Sequence, residues 1–162
     1  MNAKTDEWFF RFSAGALLLT ALAKFYSAGG NAGILKIQDA LLHIRYRPLM
    51  VSAGVLEIAV AVFLLRSHSV LKRSLVVLWL SANFIAYHVG TYWLGVHLCP
   101  CLGELAGRLP LPQGMADIFL QVLAFYLFVG SAGALWRVWG RERWMKLIGG
   151  RGRAAGVGAA MR

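Results

Sequence analysis

The chain has 162 residues, of which 59% are apolar and 15% are charged, and its formal net charge is +10. A soluble domain of this size has too little interior to hide so much apolar surface, so the composition argues against a soluble globular protein. The positive charge does not indicate nucleic-acid binding, because much of it follows the last apolar run and the sequence contains no zinc-finger, helix-turn-helix or aromatic-basic RNA motif.

Four apolar runs are long enough to cross a bilayer. About 20 residues span a hydrocarbon core of about 30 Å as a helix, and backbone groups in lipid must pair within their own segment. We therefore predict an all-α integral membrane protein, a four-transmembrane-helix bundle that forms one domain over residues 1–148. The predicted helices cover about 8–28, 48–66, 74–98 and 115–139.

The first apolar run has a second interpretation as a cleaved signal peptide, because Ala21-Leu22-Ala23 has the small-x-small form of a cleavage site. Against that interpretation, Asp6 and Glu7 weaken the positive segment that a signal peptide requires, and aromatic residues crowd the start of the run. We interpret it as a retained helix.

The connection between the first two helices is amphipathic. Apolar residues recur among polar ones over residues 34–47, and this spacing predicts a short interfacial helix lying on the membrane surface. An irregular loop is the alternative. Pro48 then fits the first turn of the second helix.

The end of the chain is basic and rich in tryptophan. Trp136 and Trp139 are typical of interfacial anchors. The Gly/Ala/Arg-rich segment 149–162 is predicted to be a disordered cytoplasmic tail, with its cations near anionic lipid headgroups.

The distribution of Lys and Arg predicts the orientation. Twelve of these cations lie in the flanks 1–11, 66–73 and 137–162, whereas four lie in the two connections on the other side. The positive-inside rule therefore places both termini in the cytoplasm. The connection after the third helix would then face an oxidising compartment.

The only two cysteines lie in that connection, within the segment His97-Leu98-Cys99-Pro100-Cys101-Leu102-Gly103. A disulfide between Cys99 and Cys101 would close a small ring around Pro100, and strain makes a disulfide a better oxidant. We predict that Cys99 and Cys101 are catalytic redox residues, with His97 placed to stabilise a thiolate. The alternatives are inert or structural cysteines, or a soft-metal site with His97. Four-ligand zinc spacing is absent, and we predict no metal site.

Two charges lie inside predicted membrane helices, where they usually pair or line a cavity. Lys24 is about 6 Å below the outer end of the first helix, and Glu57 about 13 Å below that of the second, counting 1.5 Å per residue. We predict that they pair. The alternative is that Lys24 reaches the interface and Glu57 is protonated.

Further polar residues lie in the same half of the third helix. His88 and Tyr92 share one helix face, as do Asn83 and Tyr87. With Lys24 and Glu57 they are predicted to form a polar cluster beneath the cysteines, suited to proton delivery or to a quinone headgroup. His88, Tyr92, Lys24 and Glu57 are thus the candidate cofactor-binding residues. Ordinary hydrogen bonding between helices is the alternative.

These features resemble the MauE/DoxX group of redox-associated membrane proteins over residues 8–137. The resemblance lies in Ala23-Lys24-Phe25, the glutamate in the second helix and Cys99-Pro100-Cys101-Leu102-Gly103, with Leu102 where many relatives have Phe. It implies a four-helix bundle in a bacterial inner membrane. MauE-like members are implicated in disulfide formation in periplasmic partners, and DoxX-like members in quinone-linked sulfur oxidation. Only Cys99, Cys101, Lys24 and Glu57 match the motifs.

Two functional hypotheses follow. The first is a thiol–disulfide oxidoreductase that exchanges electrons with a periplasmic thiol protein, with membrane quinone as the electron acceptor. The second is a non-catalytic assembly subunit whose cysteines are structural or bind metal. A transporter is disfavoured, because four helices without a repeat offer little room for a substrate path.

Overall fold

The computed structural model describes residues 3–30, 35, 37–95 and 115–159, with side chains placed for all of them except 3, 4, 116, 117 and 141–159. Four helices account for most of these residues, and strands are absent from the described ranges apart from one isolated bridge. The helices are α1 (Ala3–Gly29), α2 (Tyr46–Arg66), α3 (Val70–Trp93) and α4 (Met115–Ala159). The predicted all-helical class is confirmed for the part of the chain that the structure describes.

Each helix contains a segment long and apolar enough to cross a membrane. These segments are Thr5–Gly29, Tyr46–Arg66, Val70–Trp93 and Ile118–Gly140. Many large apolar side chains on them are exposed, among them Leu19, Trp79 and Phe125. Apolar outer faces of this kind are typical of helices that contact lipid, so the four helices have the length, composition and surface expected of a multi-pass membrane protein.

The helices associate as two close pairs. α1 packs along α2 and α3 along α4, whereas α2 and α3 touch each other at few points. Fully buried Leu17, Leu64, Leu80 and Leu127 contribute one residue from each helix to the core. α1 and α4 likewise touch at few points, so the two close pairs meet loosely both between α2 and α3 and between α1 and α4.

Ion pairs join the helices at the end of the bundle where the chain begins. Glu7 Oε2 on α1 lies 2.8 Å from Arg73 Nη1 on α3, and Asp6 Oδ1 lies 2.9 Å from Arg137 Nη1 on α4. The Arg73 guanidinium also lies 5.5 Å from the Phe10 ring. Arg73 is 3% exposed, whereas the Glu7 side chain is 45% exposed, so this half-buried pair joins α1 to α3.

The connection between α1 and α2 does not contain the predicted amphipathic helix in its described residues. Residues 37–45 instead form a turn, closed by a bridge between Gln38 and Arg45 and by a hydrogen bond of 2.8 Å from the Asp39 N–H to the Ile44 carbonyl. Asp39 Oδ1 accepts from the N–H groups of Leu41 and Leu42 at 2.9 and 2.7 Å. This side-chain capping, with His43 at φ 56°, turns the chain back before a helix develops.

The third helix differs from its predicted bounds at both ends. It begins at Val70, because the Ser69 hydroxyl accepts from the Lys72 N–H at 3.5 Å and caps the first turn. It ends at Trp93, and Gly95 follows with φ 75°. A positive φ at glycine closes a helix easily, so α3 stops short of the predicted residue 98. The backbone of α4 is helical to Ala159, and this range includes residues 149–159 of the tail for which the sequence predicts disorder.

Candidate functional site

The predicted pair of Lys24 and Glu57 is present between α1 and α2. Lys24 Nζ lies 2.6 Å from Glu57 Oε1. Both residues are buried, Lys24 at 7% and Glu57 at 1% exposure. Close approach of the helices is assisted by Gly54, whose Cα hydrogen faces the Phe25 ring, where a Cβ would lie 3.1 Å from Cε2. The lysine thus compensates a carboxylate that would otherwise be isolated in an apolar interior.

The pair leaves one oxygen unsatisfied. Glu57 Oε2 is buried and has no hydrogen-bond partner among the described residues. The Lys24 ammonium also lies 5.5 Å from the centre of the Phe84 ring on α3, which stabilises its charge from a second side. A buried carboxylate oxygen without a donor is costly, so its surroundings are relevant to function.

Those surroundings are a cavity of about 690 Å³ that Glu57 and Lys24 both line. Leucine, alanine, methionine and phenylalanine side chains from all four helices form most of its wall. The polar lining consists of Thr20, Lys24, Tyr46, Ser52, Glu57, Asn83, Tyr87 and His88. A mostly apolar cavity of this size with a few polar groups is typical of a small-molecule site.

The cavity brings together most, but not all, of the predicted polar cluster. Asn83, Tyr87 and His88 lie in its lining with the ion pair, and the Tyr87 and His88 rings are 6.1 Å apart. Tyr92 is 66% exposed and is not among the lining residues. The predicted pairing of His88 with Tyr92 on one face does not describe the cavity, because the lining of α3 follows residues 83, 84, 86, 87 and 88.

Asp39 is a site residue that the sequence interpretation missed. It is 1% exposed, and its Oδ2 accepts a short hydrogen bond from the Tyr87 hydroxyl. Its other oxygen caps the turn, so one carboxylate joins the connection 37–45 to α3 beside the cavity. Leu41 and Leu42 from this turn also line the cavity. The available signal was that Asp39 is the only acidic residue between helices 1 and 2.

The walls of the cavity differ in exposure. The lining residues of α1 and two of those of α4, Ala124 and Leu127, are buried. In contrast, Ser52 and Leu56 on α2 and Asn83 and Ala86 on α3 are exposed, as are Leu41 and Leu42 of the turn. α2 and α3 also touch each other at few points. The cavity therefore opens sideways, between α2 and α3.

The remaining predicted site residues, His97, Cys99 and Cys101, lie outside the described residues. α3 ends at Trp93, at the same end of the bundle as the turn 37–45, and His97 follows only four residues later. Among the described residues, no group of three His, Cys, Asp or Glu side chains is arranged to hold a metal ion.

Comparison with known proteins adds no relative: no family model matches the chain, and no curated protein or solved structure is significantly similar to it. The functional argument therefore rests on the residues and geometry described above.

Proposed function

We propose that this protein is a membrane thiol–disulfide oxidoreductase. Its Cys99-Pro100-Cys101 segment accepts two electrons from a periplasmic dithiol protein and passes them to a membrane quinone whose headgroup occupies the cavity. The resemblance to the MauE/DoxX group points to the same chemistry. The proposal includes a bacterial inner membrane, with both termini cytoplasmic and the basic end of the chain near anionic headgroups.

The observation that carries this proposal is the polar lining of an otherwise apolar cavity inside a membrane-type bundle. A quinone head needs polar partners for two oxygens, and its isoprenoid tail needs apolar walls. Lys24 supplies a donor to a quinone oxygen, and Glu57 Oε2 is an acceptor that suits the hydroxyl of the quinol formed on reduction. Tyr87 and His88 extend the polar lining along α3, toward the end from which the cysteines follow.

The exchange at the cysteines balances without a further reactant. A thiolate of the partner attacks the Cys99–Cys101 disulfide and forms a mixed disulfide, with one of the two cysteines released as a thiolate. The partner's second thiolate then displaces the remaining cysteine, so the partner is oxidised and Cys99 and Cys101 become a dithiol. Restoring the disulfide removes two electrons and two protons from Cys99 and Cys101, and a quinone held in the cavity would take them up to become the quinol.

Within the cavity, the residues of the chain hold charge and protons. Lys24 lies between Glu57 Oε1 and the Phe84 ring, so its ammonium is fixed where negative charge on a neighbouring oxygen would be stabilised. Glu57 Oε2 is an acceptor for a hydroxyl proton. The mostly apolar wall limits the access of water, which strengthens both effects.

Trapping of a mixed disulfide tests the thiol exchange. In Cys101→Ser the exchange is run in reverse: the Cys99 thiolate attacks the disulfide of the oxidised partner and releases one partner thiolate. Because Cys101 is absent, the mixed disulfide cannot go on to a Cys99–Cys101 disulfide, so a reductant-sensitive adduct should accumulate. Cys99→Ser is the matched variant, and the adduct should form with only one of the two if only one cysteine is attacked. If neither variant forms an adduct and the double variant keeps its cellular role, the exchange does not occur and a scaffold role replaces it.

A further inference from the structure

Two features of the cavity extend the proposed function: the unsatisfied oxygen of Glu57 and the opening between α2 and α3. We infer that the cavity binds the hydroxyl-bearing, reduced form of a membrane quinone more tightly than its oxidised form, and that this amphiphile enters laterally from the lipid between α2 and α3. The inference rests on the proposed function for the ligand class, but its two features stand on geometry alone.

The preference of the cavity for the reduced headgroup follows from hydrogen-bond complementarity. Glu57 Oε2 accepts no hydrogen bond from the described residues, and it belongs to a residue that is 1% exposed. The Thr20 hydroxyl, which also faces the Glu57 carboxylate, donates to the Leu17 carbonyl at 3.0 Å. A quinone carbonyl has no proton to donate to it, whereas a quinol hydroxyl has one. Filling a buried, unsatisfied carboxylate oxygen removes a penalty that is already present in the ligand-free protein. The reduced form therefore gains a contact that the oxidised form lacks.

The remaining polar groups fit the same ligand. Lys24 has further N–H protons beyond the one that Glu57 Oε1 accepts at 2.6 Å, so it donates to the second oxygen of a quinol or to a quinone carbonyl. This contact is common to both forms and does not discriminate between them. The discrimination is assigned to Glu57 Oε2.

The lateral route follows from the shape of the bundle. The wall opposite the opening includes buried residues of α1 and α4, among them Leu17 and Leu127. The exposed lining residues of α2 and α3 are Ser52, Leu56, Asn83 and Ala86, and they form the mouth, with the exposed Leu41 and Leu42 of the turn at its edge. The mouth lies within segments that have the length and composition of membrane spans. An amphiphile dissolved in the bilayer would reach the polar head site there without passing through water.

The head chemistry is tested by equilibrium binding to the Cys99→Ser/Cys101→Ser protein in lipid nanodiscs under anaerobic conditions, where the protein cannot oxidise the ligand. The probes are a ring-substituted decyl hydroquinone, the matching benzoquinone and the dimethyl ether of the hydroquinone, each corrected for partition into empty nanodiscs. The hydroquinone should bind about tenfold or more tightly than the quinone and the ether, since neither of these has a proton to donate. Equal affinity would overturn the assignment to Glu57 Oε2.

The lateral route is tested by two tryptophan substitutions one turn apart on α3. Ala86 lines the mouth, whereas Val89 is 50% exposed and does not line the cavity. Ala86→Trp should abolish hydroquinone binding or slow its association at least tenfold, and Val89→Trp should leave both unchanged. Thermal unfolding in detergent should be the same for the two variants, which separates obstruction from misfolding. Equal binding by both variants, or equal loss, would overturn the route.

These results also separate the inference from the proposed function. Selective hydroquinone binding by the cysteine-free protein, together with a failure to oxidise a dithiol in the wild-type protein, would uphold the cavity and reject the redox role. Mixed-disulfide formation together with equal binding of hydroquinone and ether would uphold the redox role and reject the preference of the cavity for the reduced form.

Discussion

At the scale of single residues, Lys24 and Glu57 form the most deeply buried ion pair among the described residues. Both are charged and buried within segments of membrane-span character, and their side chains meet at 2.6 Å. The sequence predicted this pair because each charge interrupts an apolar run at a similar depth. It did not predict the role of Asp39, because the apolar spacing around that residue is equally compatible with an amphipathic helix. The difference is decided by a tertiary contact with Tyr87, 48 residues away.

Removing one member of the ion pair should destabilise the protein more than removing both. Lys24→Met and Glu57→Gln should each lower the free energy of unfolding by about 3 kcal/mol, because the surviving partner is left buried and uncompensated. The double variant should recover part of that loss. The measurement is reversible unfolding in mixed micelles, read by circular dichroism.

The matched control for this cycle is Arg11→Gln, because Arg11 pairs with Glu7 at 3.3 Å while its side chain is 73% exposed. Its effect should stay below about 0.5 kcal/mol. Strict additivity of the two changes at Lys24 and Glu57 would contradict the direct contact.

Removing the Tyr87 hydroxyl should loosen the connection 37–45. Tyr87→Phe deletes the donor to Asp39 Oδ2 and should lower the free energy of unfolding by about 2 kcal/mol, in the range for a hydrogen bond to a charged group. Limited proteolysis in the connection should become faster. Tyr126→Phe keeps a ring contact with Phe9 at 5.6 Å and should change neither property. Equal behaviour of the two variants would show that the Asp39 contact does not hold the turn.

At the scale of the elements, small residues determine how closely the helices approach. Gly130 on α4 faces Phe9 on α1, and a Cβ there would lie 2.3 Å from Phe9 Cε2. The Phe9 ring is also held between Phe10 and Tyr126, with ring centres 5.3 and 5.6 Å away, so it has little freedom to move. The sequence predicted four apolar helices, but it gives no direct sign of which glycines lie at contacts, because that depends on the rotation of each helix.

A pair of glycine substitutions on α4 tests this packing. Gly130→Ala should lower the free energy of unfolding by about 1–3 kcal/mol, because the added methyl collides with the confined ring. Gly133→Ala meets nothing within 4 Å and should be neutral or stabilise by up to about 1 kcal/mol, through helix propensity alone. The comparison is made by unfolding in detergent. Equal stabilisation by both would contradict the contact between α1 and α4.

At the scale of the whole molecule, the four helices run in alternating directions, and this alternation determines which connections lie at each end of the bundle. The turn 37–45 and the start of the segment that carries the cysteines lie at one end, and the ion pairs of Glu7 and Asp6 lie at the other. Apolar run length was sufficient to predict the number of spans, because each run corresponds to one helix. The sequence alone could not predict the cavity, because the cavity depends on how the four helices pack against one another and not on any motif.

The proposed orientation has a direct test. With both termini cytoplasmic, a periplasm-dependent phosphatase fused after residue 108 should be active, and one fused after residue 70 should be inactive. Fusions are compared at equal expression levels, measured by immunoblot. The reverse pattern would place Cys99 and Cys101 in the reducing cytoplasm and remove the compartment that the oxidising role requires.

The central claim, that the cysteine pair delivers electrons to a quinone in this bundle, is tested most directly by stoichiometric oxidation. The reduced protein in nanodiscs is mixed anaerobically with a decyl benzoquinone substituted at every ring position, so that thiols cannot add to it. Thiols at Cys99 and Cys101 are then counted by alkylation and mass spectrometry, and quinol by absorbance. The account predicts loss of both thiols with one quinol formed per protein, and a strongly reduced rate in Ala86→Trp but not in Val89→Trp. Two alkylatable thiols and no quinol after prolonged incubation would contradict it.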